Sequence, residues 1–245
     1  MRVVYVHGAC VVDGAWWWHR MVEPLAAHWL DTQAVELTSA GRNVAGLGDL
    51  HDDIAATRAV LEGSDEPTIV VAHSYGGMVV SEAAAGLGSV RHLVYVTSVM
   101  PEPGETLAHF AGPEPAPWME VGSDGTISAR PETAAEVFLQ GCDDEVIVAE
   151  AVRRLVPQSL AAFGQSPSVA AWKDVPSTYV VCTEDRGSSA AWQRERAARA
   201  DQVIEIPTDH HPFLSRPALF ADLLARLVPA ARRPPRTGLG HDRLQ

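Results

Sequence analysis

Residues 69–80 read IVVAHSYGGMVV: an apolar run stops at His73, Ser74 and Tyr75, passes two glycines, and resumes as Met78, Val79 and Val80. Thr68 to Ala72 has the composition of a fully buried strand, and Tyr75 to Ala85 that of a helix. The interruption is therefore a sharp strand-to-helix turn with a serine at its apex. Such a turn tolerates only small residues two positions before and after the serine, here Ala72 and Gly76. The pattern is A-x-S-x-G. One alternative is that Ser74 serves only as a helix N-cap, a position serine favours.

Outward from this turn, solid apolar runs alternate with segments of helical period. Strands are predicted at Val3–Val6, Thr32–Leu37, Thr68–Ala72, His92–Thr97, Thr178–Cys182 and Gln202–Ile206. Helices are predicted at Trp16–Trp29, Leu50–Leu61, Tyr75–Ala85, Ser189–Ala200 and Ser215–Val228, the last capped by Ser215, with Pro217 in its first turn and Pro229 as its stop. This alternation is the pattern of an α/β fold: a mostly parallel sheet of about six strands with helices on both faces. The rhythm breaks over residues 100–174. There a proline- and glycine-rich stretch leads into two predicted helices, Glu132–Leu139 and Asp143–Val156, with no strong strand. That segment reads as a cap inserted into one domain spanning residues 1–228. The proline-rich, basic tail at 229–245 is expected to be disordered.

The 245 residues carry a net charge of -12, and Lys173 is the only lysine. Phosphate backbones and anionic lipid surfaces would repel so acidic a chain, so neither nucleic acid nor membrane is an expected partner. Cys10, Cys142 and Cys182 are odd in number and widely separated, with no zinc-site spacing, so neither a metal nor a disulfide framework is expected. MRVVYVHG is strand-like and lacks the apolar run of a signal peptide. The expected location is cytoplasmic.

A nucleophilic serine needs a base, an orienting acid and donors for an oxyanion. IEIPTDHHPFLSRP places His210 and His211 on a loop after a strand, where an imidazole can reach the serine. Both remain candidates on the residues alone. YVVCTEDRGSS ends another strand with Glu184 and Asp185, of which Asp185 is favoured. Asp209 is a weaker candidate, because side chains of adjacent residues diverge. The oxyanion donors would be the amide of Tyr75, just after the serine, and that of Ala9 in the HGAC loop.

HGAC, GAWWW, AHSYGG, TEDR and DHHPFLSRP, taken together and in order, resemble the serine α/β-hydrolases of the methylesterase and hydroxynitrile-lyase clade. The resemblance runs from Val3 to Val228 and includes the cap stretch VFLQGCDDEVIVAEAVRRLVPQSLAAF. It implies Ser74 as nucleophile, Asp185 as acid and His210 as base. It implies no metal or organic cofactor, and a small-molecule ester as substrate. Similar proteins commonly form homodimers, so that state is allowed. The chain departs from the family at Ala72, in the tail, and in CVVDGAWWW, which is about two residues longer than the family loop.

Lyases of the clade typically carry threonine where Gly8 stands and lysine where His211 stands; this chain has neither, which favours an esterase. Epoxide hydrolases and dehalogenases of this fold need an aspartate nucleophile, which Ser74 disfavours. A lyase- or cyclase-type enzyme and a small-molecule binding protein are the alternatives. The aromatic set Trp16, Trp17, Trp18, Phe110, Trp118, Phe138, Phe163 and Trp172, with Met119, suggests an apolar pocket, although core packing claims at least two of the tryptophans. Gly8, Cys10, Trp118, Phe138 and His211 are the pocket residues expected nearest the serine.

Overall fold

A computed structural model describes residues 1–110 and 116–231, excluding the side chains of 229 and 230. In chain order the elements are β1 (Arg2–Val6), α1 (Gly14–Trp17), α2 (His19–Ala26), β2 (Asp31–Ala34), α3 (Leu50–Glu62), β3 (Thr68–His73), α4 (Gly76–Ala83) and β4 (Val90–Val96). Next comes the cap, with α5 (Leu107–Phe110), β5 (Met119–Val121), β6 (Thr126–Ala129), α6 (Pro131–Phe138), α7 (Glu145–Arg153), β7 (Gln158–Ser159) and α8 (Ala161–Gly164). The chain then returns to the main sheet with β8 (Ser177–Cys182), α9 (Ala190–Ala197), β9 (Gln202–Ile206), α10 (Pro212–Ser215) and α11 (Pro217–Ala231).

The six-stranded sheet has the order β2-β1-β3-β4-β8-β9, and every pairing in it is parallel. Its strands alternate between two apolar layers. Val4, Val6, Val70, Ala72, Leu93, Tyr95, Tyr179 and Val181 face one core, while Val3, Tyr5, Ile69, Val71, Val94, Val96, Val180 and Cys182 face the other. A strand buried on both faces has no polar side to show, which is why the runs read as continuously hydrophobic. The strand order reverses between β1 and β3, and in an open parallel sheet the crevice beyond the carboxyl ends at such a reversal is where ligands bind. β1 delivers the Gly8–Cys10 loop there, and β3 delivers Ser74.

Several sequence expectations need correction. The cap contains strands: β5, β6 and β7 form a three-stranded antiparallel sheet. These are two to four residues long, too short to register as apolar runs. β2 ends at Ala34 instead of Leu37, and the predicted Trp16–Trp29 helix is two helices meeting at Trp18. Ser215 ends α10 and does not cap α11; its hydroxyl donates to Asp209 Oδ1 at 2.6 Å. α11 continues through Pro229 to Ala231, so Pro229 is not a stop; the rest of the expected disordered tail lies outside the described residues. Among the described residues no helix is long and apolar enough to cross a membrane.

Candidate active site

Ser74 sits between β3 and α4 with φ 51°, in the left-handed region that an L-residue enters at a cost of about 1–2 kcal/mol. Surrounding bonds hold the strain. The Ser74 amide donates to Val96 O at 3.2 Å, and its carbonyl accepts from Ser98 Oγ at 2.5 Å. Gly76 is obligatory because a Cβ there would lie 2.6 Å from Val6 O, and at Gly77 one would lie 2.0 Å from Val99 O. Ala72 is buried in the core with its methyl accommodated, so the steric demand of the turn falls on its far side. The residue that caps α4 is Tyr75, and no side chain makes the cap bond. The N-cap reading of Ser74 is thereby set aside.

His210 and Asp185 meet across β8 and β9: His210 Nδ1 donates to Asp185 Oδ2 at 2.7 Å, and both side chains are almost fully buried. With Nδ1 turned to Asp185, Nε2 is the ring nitrogen free to exchange a proton, the arrangement a general base needs. The Asp185 carboxylate also accepts from Thr97 Oγ1 at 2.6 Å and Gln193 Nε2 at 3.2 Å on Oδ2, and from the Gly187 and Ser188 amides at 2.7 and 3.0 Å on Oδ1. Burial disfavours the charged carboxylate, but the His210 charge and these donors outweigh it and hold its pKa below the usual range. Asp209 points away, accepting from Ser215 and from the Gly141 amide, while Glu184 is exposed.

His211 is oriented by its own partner: Nδ1 donates to Phe138 O at 3.0 Å, and the ring stacks on Trp17 with centroids 5.0 Å apart. His73 Nε2 donates to His210 O at 3.0 Å, which fixes the backbone of the histidine loop. Burial and the neighbouring His210 push His211 down to about 3, and the same causes hold His73 well below its ordinary value. His92, in β4, is lowered to about 4 by burial.

Neutral buried histidines make stability pH-dependent. Their folded pKa values lie below the unfolded one, so as pH falls under roughly 6.5 the unfolded chain takes up protons that the folded chain refuses. Stability is complete above that window and declines within it, by about 2 kcal/mol per histidine at about pH 5. For His92 and His211 alone the urea midpoint should drop measurably between about pH 7 and about pH 5. An unchanged midpoint would contradict their neutral burial.

Two cavities converge on Ser74. The smaller, about 90 Å³, is lined by Gly8, Cys10, Trp17, His73, Trp118, Phe138, His210 and His211 among others. The larger, about 450 Å³, is walled by Val99, Leu107, Phe110, Trp118, Met119, Phe163 and Trp192. Ala9, Ser74, Trp118, Gly187 and Ser188 border both. All five pocket residues named from the sequence thus stand around the smaller lobe. Trp18 belongs to the core, stacked on Tyr5 at 4.3 Å; Trp16 lies under Arg154, and Trp172 donates to Pro101 O. Sequence reading missed Thr97, Gln193, His73 and Trp192. Of these only Thr97, at the carboxyl end of a predicted strand, carried a positional signal. Among the described residues no group of three or more His, Cys, Asp or Glu is arranged to hold a metal.

An all-parallel sheet, a strained serine turn at its switch point and a buried acid–histidine pair define a hydrolase-type α/β architecture. Residues 3–223 match the model of the Alpha/beta hydrolase family, and the chain belongs to that family. Methylesterase 9 of Arabidopsis thaliana is 30% identical over 251 residues, covering 92% of this chain and 97% of that protein. Norfluorocurarine synthase 2 of Strychnos sp is 26% identical over 258 residues, covering 92% and 94%. The crystal structure of a pyrethroid hydrolase from Sphingobium faniae JZ-2 superposes with a TM-score of 0.81 at 24% identity, over 94% of this chain and 98% of that one, a likeness of fold.

Proposed function

We propose that this protein is a cytosolic serine carboxylesterase acting on a small-molecule ester. Ser74 Oγ attacks the ester carbonyl carbon while its proton passes to Nε2 of His210, and Asp185 stabilises the imidazolium. The Ala9 and Tyr75 amides receive the oxyanion, next to the positive end of α4. Collapse of the tetrahedral intermediate expels the alcohol, which takes the proton back from His210; water then clears the acyl-enzyme by the same route. The observation that carries this reading is the His210–Asp185 bond of 2.7 Å, in a cavity that Ser74 also lines. The kinship with a methylesterase supports it. Neither a metal nor an organic cofactor enters the mechanism.

We read the two lobes as holding the two halves of the ester. The general acid must face the leaving oxygen, and His210 borders only the smaller lobe. The alcohol is therefore small, and the acyl group, apolar or aromatic, fills the larger lobe. Methyl phenylacetate should exceed n-butyl phenylacetate, an ester of similar intrinsic reactivity, in kcat/KM by about 100-fold, since a cavity of fixed size rejects surplus methylene groups. Equal rates for the two esters would refute the assignment.

A further inference from the structure

Asp53 lies in the first turn of α3, has no exposed surface, and makes no ion pair among the described residues. A carboxylate without a cation is expensive to bury, and this one is met by five donors. Oδ1 accepts from the Thr38 amide at 2.7 Å, Thr38 Oγ1 at 3.3 Å and the Ser39 amide at 2.9 Å. Oδ2 accepts from Ser39 Oγ at 2.5 Å and from the Tyr75 hydroxyl at 2.8 Å. The positive end of α3 adds to these.

We infer that Asp53 and Gln158 are positioning residues that set both amides of the oxyanion site through one directed hydrogen-bond chain. The inference rests on the reading of Ala9 and Tyr75 as the donors. A carboxylate only accepts, so Ser39 commits its single proton to Asp53 and can only accept from Gln158 Nε2, at 2.9 Å. With its nitrogen committed, Gln158 must turn Oε1 toward the Cys10 amide, which it meets at 2.8 Å. The reversed amide would set donor against donor. The Cys10 amide is thus occupied, and the Ala9 amide one residue earlier bonds to no described residue.

The loop needs such pinning because Cys10 has φ 60°. Its carbonyl accepts from the Val156 amide at 2.9 Å, and Val11 bridges Leu155, so the cap segment between α7 and β7 reinforces the same loop. On the other arm, the Tyr75 ring, 1% exposed, is held by its hydroxyl, while its amide, next to Ser74, also has no partner among the described residues. One buried anion thereby orients elements from β1, from α3, from the serine turn and from the cap.

The test compares the full-length wild type with Asp53→Asn, Gln158→Leu and Tyr75→Phe on p-nitrophenyl acetate and a trifluoromethyl ketone. In the ketone adduct Ser74 Oγ bonds to the carbonyl carbon, its proton moves to His210, and the former carbonyl oxygen carries the negative charge. Asparagine in place of Asp53 turns a donor toward Ser39 and Tyr75; leucine in place of Gln158 frees the Cys10 amide. Each should lower kcat by about 10- to 100-fold with KM within about threefold, because sub-ångström misplacement of donors acts on the transition state. The inhibition constant of the ketone should rise by the same factor. Tyr75→Phe, which keeps the ring, should show the same signature to a lesser degree, and decides the matter if the other two do not fold. Variants that melt earlier but keep wild-type kcat and ketone affinity would overturn the inference while leaving the esterase reading intact. A wild type that neither turns over the ester nor binds the ketone would overturn both.

Discussion

Ser74→Ala is expected to lower kcat toward p-nitrophenyl acetate by about 10⁶-fold while leaving KM little changed. On the proposed mechanism the substitution removes the hydroxyl that attacks the carbonyl carbon. The residual rate would be that of water attacking within an intact oxyanion site. The strained φ of 51° is imposed by Val96, Ser98 and the two glycines, not by the hydroxyl, so the variant should keep the fold. Steady-state rates and a thermal melt on the same preparation check both halves. A variant within tenfold of wild type would mean that the chemistry does not pass through a serine ester, as in a lyase or cyclase that uses His210 alone.

Asp185→Asn should cost about 10⁴-fold in kcat, and the reason is tautomeric. Oδ1 of Asp185 accepts two backbone amides, those of Gly187 and Ser188, so an asparagine must place its oxygen there and its NH₂ toward His210. That NH₂ forces Nδ1 of His210 to accept and therefore moves the ring proton to Nε2. On the proposed mechanism Nε2 is the nitrogen that takes the proton of Ser74. Loss of a base in this way should leave substrate binding intact, and kinetics over a range of pH would show it as a fall in kcat without a matching rise in KM. Activity near that of wild type would show that Asp185 does not set the tautomer.

The main sheet was legible because its central strands are buried on both faces and show as aliphatic runs, whereas the edge strand β2, Asp31–Ala34, is only partly covered and its end was misplaced. Ser74 stood out as a candidate through the sterics of its turn, Asp185 and the pair His210 and His211 through their places at strand ends, and the choice of His210 came from the family resemblance. Their pairing could be expected but not measured. The cap sheet was hidden because residues 119–121, 126–129 and 158–159 are too short to show a period. Thr97, Gln193, Asp53, Ser39 and Gln158 were hidden for another reason. Each is an ordinary polar residue in sequence, and its meaning arises only when separated segments converge, as when Gln158 meets Cys10 and Ser39. The added length of the loop after Cys10 likewise acquires a use only in the fold, where Val11 pairs with the cap at Leu155.

Whether Ser74 is a nucleophile activated by His210 can be read by intact-protein and peptide mass spectrometry after treatment with a fluorophosphonate. One adduct per chain is expected, located on Ser74 and absent from Ser74→Ala and from His210→Ala. Failure to label the folded wild type, or an adduct on another residue, would contradict it.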